Sequence, residues 1–383
     1  MEEITETLKS LPWSRLASPI AAAEDALARL DERLAQSPIR DGFIARTQFM
    51  EAAACLWLEG ELVALEDLAL HDCDMDIRAP THALARAHAI LRARRRIAEA
   101  KPDWALSPAG LVSLQGRGGD EPGDAGAGRT ARDAPEPSRA DETQDGAGDD
   151  KPDAACRDDD LSNLFADLDA AIARADQALN APAAQAAAPP RPRDPLLYDP
   201  DHDAEARLAA WRDALHQTRA LPPTLAAALS LEAWETLQPL EHRPWLGPLL
   251  VAALLRARGK ARHHLPCLAV GLKTIARNRR RASDATERLI ALLAAIEAAA
   301  GAGLADHDRW IAARAALLRK IAGRRAHSKI CALVDYVLTR PLVSTAMIAR
   351  ELQITPRAAQ NLVATLGLRE ATGRARYRAW GIL

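Results

Sequence analysis

The stretch STAMIARELQITPRAAQNLVATLG, residues 344–367, decides how this chain is read. The Ser344 hydroxyl can accept from the orphan amides of a helix that follows it. Ile348, Ala349 and Leu352 then recur on one face, which predicts a short helix over Thr345–Leu352. Thr355-Pro356 opens the next helix, with Thr as the cap and Pro at the first helical position, where a missing N–H costs nothing. That helix runs Pro356–Leu366 and buries Ala359, Leu362, Val363 and Leu366. Upstream, Ile330, Leu333, Val334, Val337 and Leu338 form the apolar face of a further helix stopped by Pro341. Two short helices around a three- to four-residue turn make the helix-turn-helix layout. Ala349 stands where the two axes cross closely and a small side chain is required. Gln353 fills the turn position that commonly takes Gly, so it must accept a positive φ or impose a different turn.

The outward residues of the last helix include Arg357, Gln360 and Asn361. Arg suits guanine, and Gln or Asn suits adenine, in the major groove of a duplex. Thr355 and the helix start can hold a phosphate. Beyond Gly367 comes LREATGRARYRAW, residues 368–380. Leu368-Arg369 and Tyr377–Trp380 can pair as two short strands around Thr372-Gly373, forming a wing. Arg374, Arg376 and Arg378 alternate along it, suited to phosphate or minor-groove contact.

Charge agrees with this reading. The net charge of −2 conceals a basic C-terminal part: residues 241–383 hold 25 Lys+Arg against 9 Asp+Glu, whereas residues 1–240 hold 25 against 43. A basic end on an acidic remainder points to a polyanionic partner for that end.

The rest of the 383 residues is poor in aromatics and rich in Ala, Leu and Arg, which favours helix over strand. The expected class is mainly α: a multi-helix bundle with a C-terminal winged helix-turn-helix and a disordered acidic insert. Residues 1–114 read as an N-terminal helical domain. Leu27, Leu30 and Leu34 share one face there, a longer helix starts after Asp41-Gly42 and runs past Leu58, and another covers Thr81–Ala100. Residues 115–160 read as a disordered acidic linker, since Gly116–Asp160 has 14 acids, 6 bases and no Ile, Leu, Val, Met, Phe, Trp or Tyr. Residues 161–180 read as one amphipathic helix, and 181–194 as an Ala/Pro linker. Residues 195–325 form a middle helical domain and 326–383 the winged helix-turn-helix. In the middle domain Leu249–Leu255 is apolar all round, Leu289, Leu292, Leu293 and Ile296 make a clean stripe, and Trp310–Ile321 makes a weaker one.

Leu249–Leu255 is the longest apolar run, far short of the ~20 residues a membrane span needs. Met1–Ser10 is acidic and polar, unlike a secretory signal. Cys55, Cys73, Cys156, Cys267 and Cys331 are odd in number and form no CxxC pair, which fits neither a disulfide framework nor a zinc ribbon. A cytoplasmic location follows from these features.

Other clusters are weaker. His71-Asp72-Cys73-Asp74-Met75-Asp76 reads as a loop, without the separated ligand pairs of a metal site. His263-His264 near Cys267 lacks an orienting acid. Lys273, Arg277, Arg279, Arg280 and Arg281 either grip DNA backbone outside the winged helix or cap a helix end. Trp211, Trp234, Trp245 and Trp310 read as core. No catalytic residue, metal or cofactor is expected.

As a whole the chain resembles a family of bacterial helix-turn-helix proteins, often plasmid-borne, with an N-terminal helical domain, a variable linker and a middle block of unknown function. The matching runs are Leu11–Leu16, Arg243–Gly247, His264–Cys267, Asp306–Trp310 and Arg340–Leu383. The resemblance implies DNA binding. A fainter one is to Fic-type proteins that end in a winged helix. Ala54–Gly60 with Leu65–Leu68 is similar to their inhibitory-helix region, with Cys55 where a Ser or Thr stands, and His242–Leu250 falls where their catalytic motif lies. Of the HPFxxGNGR loop, the Asn, the second Gly and the phosphate-binding Arg have no counterpart here. Without that cradle nucleotide transfer loses its electrostatic stabilisation.

The expectation is therefore a catalytically inactive, sequence-specific double-stranded DNA-binding protein acting as a transcriptional regulator, with Thr355, Arg357, Gln360, Asn361, Arg374, Arg376 and Arg378 at the DNA. A homodimer is compatible with it, a membrane is not a partner, and any small-molecule effector is unidentified. The alternative is a Fic-type nucleotidyl- or adenylyltransferase with a degenerate active-site loop.

Overall fold

The computed structural model describes residues 11–75, 79–115, 203–321, 329–372 and 378–382. The linkers and the amphipathic helix expected between 116 and 194 lie outside these residues.

Fourteen α-helices are described, in chain order: α1 Trp13–Ala35, α2 Arg40–Leu58, α3 Leu65–His71, α4 His82–Glu99, α5 Pro108–Leu114, α6 Ala204–Gln217, α7 Pro223–Leu237, α8 Leu246–Ala257, α9 Leu268–Thr274, α10 Arg277–Arg280, α11 Ala285–Lys320, α12 Lys329–Leu338, α13 Thr345–Leu352 and α14 Pro356–Leu366. The mainly helical class expected from composition is what the chain adopts.

The longest helix organises the rest. α11 merges the two stripes read separately in the sequence into one 36-residue helix, about 54 Å long at 1.5 Å per residue. Its buried residues Leu289, Leu292, Leu293, Ile296, Ala299 and Ala300 meet α1, α7 and α9. α1 supplies Leu16, Ile20, Leu27, Leu30 and Leu34 at helical spacing. α11 is long and apolar enough to cross a membrane by composition, but its apolar faces are spent on this core. α9 crosses it so closely that a Cβ on Gly271 would stand 2.0 Å from the Ala295 carbonyl oxygen. Residues from both sides of the linker thus share one core, rather than the separate N-terminal and middle cores that the sequence division suggests.

Boundaries differ from expectation at α2. It begins at Arg40, so Gly42 lies inside it and breaks nothing. That glycine serves close approach instead: a Cβ there would lie 2.4 Å from the Leu338 carbonyl oxygen at the end of α12. The helix stops at Leu58 because Gly60 turns the chain with φ +91°.

Two opposite charges are buried at the centre. The Glu51 carboxylate accepts from the backbone N–H groups of Ala269 (2.9 Å) and Val270 (3.1 Å), the orphan donors at the start of α9. Arg94 donates to the carbonyls of Leu265 (2.6 Å) and Pro266 (3.1 Å), holding the turn that leads into the same helix. Trp211, Trp234, Trp245 and Trp310 are buried, as read from the sequence.

The C-terminal region packs α12, α13 and α14 about Leu333, Val334, Val337, Ile348, Ala359, Val363 and Leu366. A small antiparallel sheet completes it: β1 Val343–Ser344, β2 Arg369–Glu370 and β3 Ala379–Gly381, in the order β1-β3-β2. Register pairs Val343 with Trp380 and Arg369 with Gly381. The hairpin was expected between 368–369 and 377–380; the third strand, β1, was not. Ser344 ends that strand and also caps α13, accepting from the Met347 N–H at 3.2 Å.

Candidate nucleic-acid interface

Local capping fixes the two helices of the interface. Thr355 accepts from the Ala358 N–H at 3.2 Å and Pro356 takes the first position of α14. Gln353 adopts the left-handed conformation, φ +50°, at the turn between them, and Gly367 ends α14 at φ +60°. Of the two outcomes open for Gln353, the positive φ is realised.

Burial divides α14 cleanly. Ala359, Val363 and Leu366 are buried, while Arg357, Gln360 and Asn361 are exposed on the opposite face. Among the described residues the side chains of Arg357, Gln360 and Asn361 make no hydrogen bond or ion pair, so their donors and acceptors point into solvent. Thr365, also exposed, turns its hydroxyl back to the Asn361 carbonyl (2.7 Å). Thr355 is exposed and spends an oxygen lone pair on its cap, which leaves the O–H free to donate.

The wing arginines fare differently. Arg374 and Arg376 lie outside the described residues. Arg378 is not a free cation: its Nε donates to Glu370 Oε2 at 2.8 Å, a second guanidinium N–H reaches the same oxygen, and the group lies 5.7 Å from the Trp380 ring centre. The bonds from Arg378 hold the Glu370 carboxyl below its ordinary range. Arg378, expected at phosphate, is thus paired with Glu370 within the chain while more than half of its side chain stays exposed. The cause is the hairpin, which sets the two residues on adjoining strand ends.

Other basic side chains are also spent inside the chain. The buried Arg46 guanidinium donates to the carbonyls of Leu338 (3.0 Å), Ile382 (2.9 Å), Val337 (2.9 Å) and Arg340 (2.7 Å). Lys320 Nζ donates to Leu366 O and Lys329 Nζ to Leu352 O, both at 2.9 Å. All three α-helices of the C-terminal region thus end on a cation that satisfies their last carbonyls and complements their dipoles. Part of the positive balance after residue 241 builds the domain rather than facing a partner. Sequence reasoning passed over Arg350 in α13 and Arg369 just after α14, both exposed.

The remaining candidates resolve as structure. Asp72 accepts from Arg95 (2.5 and 2.8 Å) and lies 3.4 Å from His88. Burial alone would raise its carboxyl, and the bonds from His88 and Arg95 carry it well below the ordinary range. His264 is buried, with Nδ1 3.3 Å from Asp31, an acid the sequence reading did not expect; Cys267 is half-buried with its thiol pushed up to about 12 by desolvation, which makes it a poor nucleophile. Among the described residues no group of three or more His, Cys, Asp or Glu is placed to hold a metal ion. The Lys273–Arg281 cluster lies at the N-terminal end of α11, whereas α12 and α14 meet its C-terminal end through Arg314–Asp335 and Lys320–Leu366. The length of α11 separates it from α14, so it does not extend that surface. His242 is exposed in a turn that enters α8 at Leu246.

Comparison with known proteins agrees with this layout. Residues 330–383 match the family model described as "HTH DNA binding domain", and residues 196–322 match one described as "Protein of unknown function (DUF1612)". A protein of Sinorhizobium fredii, "Uncharacterized protein y4cF", is 43% identical over 98% of this chain and 99% of its own length. The C-terminal region is a helix-turn-helix DNA-binding domain. The Fic resemblance finds no support in these matches.

Proposed function

The chain belongs to the family of the Sinorhizobium fredii protein, in which a DUF1612 block precedes a helix-turn-helix DNA-binding domain, and from that premise we propose that it is a sequence-specific reader of double-stranded DNA that regulates transcription in the cytoplasm. The carrying observation is the exposed face of α14: Arg357, Gln360 and Asn361, side by side and without partners among the described residues. A helix of this size fits the major groove, where Arg357 reads guanine and Gln360 and Asn361 read adenine. Thr355 donates to a phosphate at the helix start, where backbone dipoles favour the anion. The β2–β3 hairpin acts as the wing, with Arg374 and Arg376 as its backbone contacts.

The same reading gives the chain no catalytic role. The turn from His242 passes straight into α8, with Trp245 and Leu246 buried, and supplies no run of free amides for a phosphate. A homodimer would present two copies of α14 to half-sites one helical turn, or a multiple of it, apart.

The test is selection of bound fragments with the full-length chain, followed by salt-titrated mobility shifts. Arg357→Ala weakens a selected site by about 1–3 kcal/mol and relaxes one base position. Loss that is equal on all sequences, or no loss, overturns the assignment of Arg357 as a base reader.

A further inference from the structure

Segments far apart in the sequence close round a cleft of about 1120 Å³: the end of α2, the end of α7, the turn before α8, the α9–α10 corner and the first turns of α11. One corner is cationic. Lys273, Arg277 and Arg281 line it and have no ion-pair partner among the described residues. Two of the four carboxylates that line the cleft are committed: Glu232 is held by Arg288 (2.9 and 2.7 Å) and Glu59 by Arg86 from outside the cleft. Glu235 faces Arg280 and Arg281, one carboxylate against the four cations Lys273, Arg277, Arg280 and Arg281 that line this corner. Beside the cations stands Trp57, 38% exposed where a buried core would hide it, with the Lys273 ammonium 5.1 Å from its ring centre.

Cations in excess of carboxylates in a concave, partly apolar wall raise the local concentration of anions, and a partly exposed indole adds a stacking surface. We infer that this cleft is a binding site for a small organic anion carrying a flat ring: Arg277 and Arg281 take the acidic group, Trp57 takes the ring, and Lys273 spans the two. The volume of about 1120 Å³ lies at the upper edge of the roughly 300–1,000 Å³ usual for small-molecule pockets. This goes beyond DNA reading and does not depend on it, since the site lies at the opposite end of α11.

The experiment is calorimetric titration of the full-length chain, without DNA, with four probes. ADP and 2-naphthoate carry a ring and an acidic group and separate nucleotide from aromatic-acid recognition. Pyrophosphate carries charge alone, and 2-naphthol a ring alone. The expected result is that ADP or 2-naphthoate binds with a Kd below about 1 mM and that 2-naphthol binds at least about tenfold more weakly than that probe. The paired substitution Arg277→Ala and Arg281→Ala weakens the bound probe about tenfold or more. Trp57→Ala weakens it while leaving pyrophosphate unchanged. Circular dichroism melting of both variants at the wild-type temperature separates lost contacts from lost fold. Failure of both ring-bearing anions to bind, equal binding of 2-naphthol, or binding unmoved by either variant overturns the inference. None of these results bears on Arg357 and its duplex.

Discussion

The Arg46 guanidinium closes the end of the helix that finishes at Leu338, with Nε 3.0 Å from that residue's carbonyl and the other N–H groups on three further carbonyls of the same domain. Burial lowers its pKa to about 10, so it stays charged at neutral pH. Removing it leaves those carbonyls without partners, each costing roughly 1–3 kcal/mol unless water reaches it. Arg46→Met is expected to cost more than about 3 kcal/mol in denaturant unfolding. Hydrogen exchange should rise first in residues 329–343 and only later in α1, which locates the damage at the junction.

Glu370 pairs with Arg378 and competes with a phosphate for it. Glu370→Gln releases one cation beside the reading helix. Affinity for random duplex should rise, and the slope of log K against log salt should steepen by about 0.9, the contribution of one phosphate. Melting temperature is expected to stay near wild type, because the pair is exposed.

Gln353 sits at φ +50° in the turn between α13 and α14. A side chain there carries a steric cost that glycine avoids, of about 1 kcal/mol. Gln353→Gly is expected to recover part of it as a higher melting temperature, with DNA affinity unchanged. Gln353→Ile, β-branched, should lose stability by a similar amount.

His264 is buried, and desolvation depresses its pKa although the bond to Asp31 opposes the shift. Below about pH 6.5, the ordinary value of histidine, the unfolded chain takes up a proton that the folded one does not. Stability contributed by the neutral ring is therefore present above that pH and is lost as pH falls below it. In His264→Gln the loss of stability between pH 6.5 and 5.5 should be shallower than in wild type, as read from parallel thermal melts.

What could be read in the sequence was what is local. Ser344, Thr355-Pro356 and Gly367 cap their helices through neighbours three residues away, so the limits of α13 and α14 and the exposure of Arg357, Gln360 and Asn361 followed from spacing. β1 escaped because two residues have no period and Ser344 already had a role as cap. Arg46 gave no signal, since its partners are backbone carbonyls 291 to 336 positions later and carbonyls leave no mark on residue identity. The Lys273–Arg281 cluster was visible as charge. Its cleft was not, because Trp57 and Glu235 reach it from other helices, and only the fold says on which end of α11 it falls.

α11 is a single rod with its first turns in one wall of the cleft and its last turn fastened to α14 through Lys320. A rigid lever converts small angles into displacement: one degree of tilt over the span from Arg288 to Lys320, about 48 Å, moves the far end by about 0.8 Å. That is a sizeable fraction of the tolerance of a bidentate contact to a base edge. If Arg357 reads a base as proposed, its aim depends on the packing of Arg288 and Leu292, and a substitution at that remote end is expected to weaken duplex binding without touching the DNA.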